Sequence, residues 1–183
     1  MTAATHVSGT DRCFEALSQQ DEDFDYVVNI QGDEPFISPK QIDLLVSMLD
    51  GVVELATLAK RIEDPDQLTN SNVVKVIIGA DDRAIDFSRC RLPFSRELPE
   101  KEWLQHHDYY KHIGMYAYRE DILDRITKLP VSPLERAESL EQLRWIENGF
   151  NVKVGKTKTE TIGIDTPEDL ERALRELEKR EED

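Results

Sequence analysis

A doubly wound α/β sheet with a small antiparallel inset is the fold predicted for these 183 residues, on three observations. Extended runs rich in Val, Ile and Tyr alternate with amphipathic stretches of helical period, the pattern of strands covered by helices. Two of those runs, Tyr26-Val27-Val28-Asn29-Ile30 and Ile162-Gly163-Ile164-Asp165, lead straight into carboxylates. In open α/β sheets the carboxyl ends of the strands form the ligand crevice. The third observation is a pair of runs, Asn72–Ile78 and Ala84–Ser88, that flank a turn over Gly79–Arg83 and fold back on each other.

In chain order, Ser8 or Thr10 caps a helix whose stripe is Cys13, Phe14, Ala16 and Leu17, with Asp11 at its positive end. The strand Tyr26–Ile30 delivers Gln31-Gly32-Asp33-Glu34-Pro35 to a loop, because Gly and Pro end the extended run. Ser38 caps a second helix with Pro39 in its first turn, and Gly51 ends it. A strand follows over Glu54–Lys60, and Asp64-Pro65-Asp66 breaks the chain. After the paired strands comes an irregular polar stretch from Arg89 to Asp108, then a strand over Tyr109–Tyr118 and a short helix over Arg119–Leu129. Ser132-Pro133-Leu134-Glu135 is a capping box and opens one helix running to Asn148-Gly149. Leu140, Leu143 and Ile146 share one face of it; Glu138, Glu141, Gln142 and Trp145 share the other. That second face suits either solvent or a sugar's hydroxyls. A strand over Phe150–Val154, the Ile162–Asp165 run and a last helix capped at Thr166 complete a single domain, 1–183, with 72–118 as an inset for dimerisation or sugar binding.

Composition narrows the function. The chain carries 23 Lys and Arg against 38 Asp and Glu, a net charge of −15. A nucleic-acid surface needs a basic field and is excluded. No apolar run approaches the ~20 residues of a membrane helix, and the N-terminus lacks the regions of a signal peptide, so a cytoplasmic location is expected. Cys13 and Cys90 are read as reduced thiols. An anionic ligand would need local cations or a metal.

Asp33 and Asp165 stand at two strand ends. If both strands share a sheet, the two carboxylates reach one crevice, and paired hard oxygens with open positions suit Mg²⁺. Asp165 fits equally a carboxylate at a helix start. Arg89 and Arg91 offer forks for carboxylate or phosphate, or are surface arginines. His112, Gly114 and Tyr116 share a strand face by alternation and suit a polar pocket, or simple packing. A Ser/His/Asp order, zinc-ligand spacing and a Walker loop are all absent from the sequence.

Eight segments then carry a resemblance over nearly the whole chain. They are His6-x-Ser8-Gly9-Thr10-Asp11-Arg12, Val28 to Pro35 around Gln31-Gly32-Asp33, Asn72-Val73-Val74-Lys75, and Phe87-Ser88-Arg89 with Leu92-Pro93. They continue with His112-Ile113-Gly114-Met115-Tyr116, Ser132 to Glu135, Leu140-Glu141-Gln142-Leu143-Arg144, and Gly163 to Asp169. Together they resemble the 3-deoxy-manno-octulosonate cytidylyltransferases, or CMP-Kdo synthetases, and imply a fold of the nucleotide-diphospho-sugar transferase type. The resemblance implies attack of the anomeric hydroxyl of Kdo on the α-phosphorus of CTP, giving CMP-Kdo and pyrophosphate for lipopolysaccharide. By the same carry-over, Asp33 and Asp165 are catalytic and hold Mg²⁺. Gln31, Arg89, His112, Tyr116, Glu141 and Gln142 contact Kdo, Ser8, Gly9 and Thr10 lie by the nucleotide, and the enzyme is a homodimer. Family members begin with a strand and a glycine- and arginine-containing loop that grips the CTP phosphates. Met1-Thr2 aligns with positions internal to the family, so the chain is expected to match the family's larger C-terminal part, N-terminally truncated. The resemblance leaves two alternatives: a non-catalytic fragment that keeps sugar binding or dimerisation, and a cytidylyltransferase for a related acid sugar.

Overall fold

Leu55 to Ala59 are buried without a break, which marks a strand covered on both faces. In the computed structural model, which describes residues 1–32, 37–159, Glu171 and Leu174, that strand, β2 (Leu55–Arg61), is central. It pairs antiparallel with β5 (Tyr110–Arg119) and parallel with β6 (Val152–Thr157). The far edge of β5 is shared. Its start pairs with β3 (Lys75–Ile78) and its end with β1 (Tyr26–Asn29), both antiparallel. β3 pairs in turn with β4 (Ala84–Ser88), so the sheet runs β4-β3-β5-β2-β6 with β1 beside β5.

Helices cover both faces. One face of the sheet carries Leu55, Tyr116, Tyr118 and Val154, packed under α1 (Gly9–Ser18), α5 (Glu120–Thr127) and α7 (Glu141–Glu147). On the other, Ala56, Leu58, Met115 and Ala117 meet Leu45 of α2 (Pro39–Ser47). Ser8 caps α1 by accepting from Asp11 N at 3.1 Å, and Ser38 forms a capping box with Gln41. Gly155 marks the close approach of α2 to β6: a Cβ there would lie 2.8 Å from Met48 Sδ and from Leu58 Cδ2.

The polar stretch after β4 is more ordered than its composition predicts. A 3₁₀ turn (Glu100–Glu102) and α4 (Trp103–His106) bury Trp103 with Ile62, Leu68 and Tyr109 in a separate small core. Asp64 caps a short helix, α3 (Pro65–Thr69), where the sequence showed only a break.

The helix expected over 133–148 is two helices. α6 (Pro133–Glu138) ends at Ser139, whose φ of 53° is left-handed, and α7 starts at Glu141. The break has identifiable partners. The Glu138 carboxylate accepts from Ser88 Oγ and from Arg89 N, each at 2.6 Å. The Arg89 guanidinium then donates to the carbonyls of Glu138, Ser71 and Ser139. The shared face of Glu141, Gln142 and Trp145 survives the bend, since all three line one cavity, but it is not a solvated face: Trp145 is buried at 1% exposure beneath Tyr116 and Tyr118.

Candidate active site

β1, α1, β5 and the α6–α7 bend enclose a cavity of about 770 Å³ at the carboxyl end of β1. Its position follows from the fold. β1 is only four residues long, so the chain leaves the sheet at Asn29 and carries Gln31 and Gly32 into the rim. Gly9 lets the start of α1 approach that point, since a Cβ there would sit 3.2 Å from Asn29 Nδ2.

β5 supplies the back wall. Its register with β2 shifts between Thr57 and Leu58, so Thr57 faces Tyr116 while Leu58 faces Ile113. Two residues bulge, which conserves parity, so His112, Gly114, Tyr116 and Tyr118 all line the cavity. Thr57 plugs the bulge, donating its single hydroxyl hydrogen to Met115 O at 2.7 Å. Its lone pair then accepts from His112 Nε2 at 2.9 Å. That places a proton on Nε2; in the neutral ring, which burial favours, Nδ1 is then left as an acceptor.

Burial pushes the His112 imidazole down to about 3. The unfolded side chain titrates near ~6.5, so it takes up a proton that the folded one refuses. Stability is therefore complete above about pH 6.5 and falls as pH drops toward 3. The ring is half-buried, and water on its cavity side makes ~2 kcal/mol an upper figure for the loss between pH 7.5 and 5. His112→Asn is expected to shrink the pH 7.5-to-5 difference in urea-unfolding free energy by up to that amount. An unchanged difference contradicts the neutral, buried histidine.

The opposite wall comes from the bend. Thr10 Oγ1 donates to Glu141 Oε2 at 2.8 Å, and the Ser8 hydroxyl also bonds this carboxylate. Having given its hydrogen to Glu141, Thr10 accepts from the Tyr118 hydroxyl at 3.3 Å, which accepts from Asn29 Nδ2 at 3.3 Å. A directed chain thus runs Asn29, Tyr118, Thr10, Glu141. Burial lifts the Glu141 carboxyl above its usual range, against these hydrogen bonds and the charge of Arg144. Arg144 Nη2 lies 2.8 Å from Glu135 and 3.3 Å from Glu141.

Gln31, His112, Tyr116, Glu141, Gln142, Gly9 and Thr10 all line this one cavity. Ser8 stands behind them as the α1 cap. Arg89 does not line it; its guanidinium braces Ser139, which does. Asp33 and Asp165 lie outside the described residues, and no group of three or more metal-ligating side chains occurs among those described. Asn29, Tyr118 and Cys13 also line the cavity and were not singled out from the sequence. Asn29 had a signal, a polar residue inside an apolar strand, and Tyr118 continues the alternation of His112 and Tyr116. Arg12 is the one Arg or Lys among the described lining residues.

Known proteins resemble this chain over nearly its whole length. The family model for cytidylyltransferases matches residues 1–162. The 3-deoxy-manno-octulosonate cytidylyltransferase of Cytophaga hutchinsonii is 55% identical over 170 residues, 92% of this chain and 68% of that protein. Its counterpart from Phocaeicola vulgatus is 51% identical over 99% of this chain and 73% of its own length. The solved CMP:2-keto-3-deoxy-manno-octonic acid synthetase complexed with CTP superposes at a TM-score of 0.86 with 36% identity, covering 99% of this chain and 72% of that one. HddC of Yersinia pseudotuberculosis, 14% identical at a TM-score of 0.62, shares the fold alone.

Proposed function

Because the chain belongs to the 3-deoxy-manno-octulosonate cytidylyltransferases, we propose that it activates Kdo with CTP, releasing pyrophosphate and CMP-Kdo for lipopolysaccharide synthesis. Its fold is the mixed α/β sheet of the nucleotide-diphospho-sugar transferases. The observation that carries the activity is a single cavity where Gln31, His112, Tyr116, Glu141 and Gln142 face the start of α1.

In the proposed reaction the sugar's anomeric oxygen bonds to the α-phosphorus while the bond to the β-phosphate oxygen breaks and pyrophosphate leaves. The hydroxyl proton passes to solvent or to a carboxylate. Glu141, held by Thr10 and Ser8, accepts a hydrogen bond from a sugar hydroxyl, and neutral His112 offers Nδ1 to another. Tyr116 and Gln142 orient the sugar from the back wall and the bend. Arg89 acts on it through Ser139. Ser8, Gly9 and Thr10 lie toward the nucleotide.

A triphosphate and an acid sugar together carry more negative charge than Arg12 can balance, which supports a divalent cation. Gly32, the residue before Asp33 in sequence, lines the cavity, and carboxylate oxygens are the donors Mg²⁺ prefers. Asp33 and Asp165 would hold it. When bound, Mg²⁺ supplies charge stabilisation to the transferring phosphoryl group. A cytoplasmic enzyme is the location proposed; among the described residues no helix is long and apolar enough to cross a membrane. A homodimer would meet through the 72–118 segment, a reading supported by the exposure of Ile85 and Phe94.

Substrate choice is tested by incubating the protein with CTP, Mg²⁺ and, in parallel, Kdo or sialic acid, then weighing the products. CMP-Kdo is expected to form at least ~100-fold faster, since a site built to bond particular hydroxyls rejects analogues that leave its polar groups unpaired. Preference for the other sugar would support the reading of a related cytidylyltransferase instead.

A further inference from the structure

Ser139 holds a left-handed backbone, φ 53° and ψ 48°, between α6 and α7. A residue with a Cβ is disfavoured in that region, and it persists there only where its surroundings dictate the geometry. Ser139, Leu140, Glu141 and Gln142 all line the cavity. Glu141 is the first residue of α7, and its side chain is 26% exposed, open to a ligand. The backbone angles of Ser139 therefore set where that carboxylate stands.

The end of β4 holds Ser139 in place. Glu138, the last residue of α6, does not line the cavity. One of its carboxylate oxygens accepts from Ser88 Oγ and the other from Arg89 N, both at 2.6 Å. Bonds to an ionised acceptor are the stronger kind. Ser88 is itself fixed: it is 3% exposed and, having given its hydrogen to Glu138, accepts from Cys90 N at 3.0 Å. Arg89 grips the backbone of the same bend, Nε donating to Glu138 O at 2.7 Å and Nη2 to Ser139 O at 3.4 Å. The side chain before the left-handed residue and the carbonyls around it are thus tied to one strand end.

Resting on the proposed acid-sugar activity, we infer that Glu138 is a sugar-positioning residue. Latched to Ser88 and Arg89, it keeps Ser139 left-handed and so presents Glu141 to the sugar's hydroxyls before the sugar arrives. It touches neither substrate. Holding the bend in its binding geometry raises affinity by sparing the site an ordering cost on binding.

The test uses the full chain as wild type, Glu138→Ala, Glu138→Gln and Ser88→Ala, each checked for folding by urea unfolding. Kdo is titrated calorimetrically, alone and then with Mg²⁺ and α,β-methylene-CTP, whose bridging carbon blocks transfer. Glu138→Ala is expected to weaken Kdo binding about tenfold, the drop that follows when the binding-competent bend falls to about a tenth of the population. Affinity for the nucleotide analogue should stay unchanged. Glu138→Gln should bind Kdo within about twofold of wild type, because an amide can accept from Arg89 N and donate to Ser88 Oγ. Ser88→Ala removes one of the latch's two donors and should weaken Kdo binding about threefold. Wild-type Kdo affinity in folded Glu138→Ala, or in Ser88→Ala should Glu138→Ala not fold, overturns the inference and leaves the acid-sugar activity standing. So does a Glu138→Gln loss as large as that of Glu138→Ala, which marks a role of charge, or an equal loss of nucleotide affinity, which marks a general support. Absence of Kdo binding to the wild type under both conditions overturns both.

Discussion

Asp33→Asn and Asp165→Asn are each expected to lower Mg²⁺-dependent pyrophosphate release by at least ~10³-fold, because metal charge stabilisation is worth several kcal/mol in a phosphoryl-transfer transition state. Asparagine keeps the shape and one carbonyl oxygen but removes the charge that a hard cation requires. The loss should fall on turnover more than on Kdo affinity, since the sugar's proposed partners Glu141, Tyr116 and His112 are untouched. Raising Mg²⁺ should recover part of the rate if weaker ligation is the cause. Release within tenfold of wild type in either variant removes that aspartate from the metal site.

Arg144→Met should have the largest effect on stability. One guanidinium nitrogen serves both Glu135 and Glu141, while the other terminal nitrogen donates to Leu129 O at 3.1 Å. Side-chain exposures of 11% for Arg144 and 13% for Glu135 leave little water to replace it. Glu135 is also the capping-box residue of α6, bonding Ser132 N. Removing the cation strands two carboxylates in a half-dry site, at a cost of about 3 kcal/mol, which lowers the melting temperature of a chain this size by roughly 6–12 °C. Adding Glu135→Gln to Arg144→Met should recover about 1 kcal/mol, by removing one stranded charge. A single variant within 1 kcal/mol of wild type in urea unfolding would show that the α6–α7 bend does not depend on this pair.

The elements legible in the sequence were those with local causes. Ser8 and Ser38 cap helices because a hydroxyl or capping box stands before an amphipathic run. β1 and β5 announce themselves through β-branched and aromatic runs, and alternation puts His112, Gly114 and Tyr116 on one face even across the bulge. What stayed hidden depends on distant partners. Nothing near Ser139 predicts a left-handed residue; the bend is fixed by Glu138 reaching Ser88 and Arg89, some 50 positions away. A continuous helix therefore fits the local pattern, although Glu141, Gln142 and Trp145 keep a common face in the shorter α7 and line the cavity together. The resemblance implies a sugar contact for Arg89, and its three carbonyl partners come from two other segments that its own surroundings in the sequence do not announce. The Asn29–Tyr118–Thr10–Glu141 chain joins two strands and two helices that only the tertiary fold assembles.

The central claim is that this cavity joins an acid sugar to a cytidine nucleotide. The most direct measurement is pyrophosphate release by this chain given CTP, Kdo and Mg²⁺ together, with product identified by mass. Pyrophosphate and CMP-Kdo in equal amounts, with neither formed when Kdo or Mg²⁺ is left out, is the predicted result. Calorimetric binding of Kdo with no pyrophosphate released would contradict it and mark the chain as a sugar-binding fragment without catalysis.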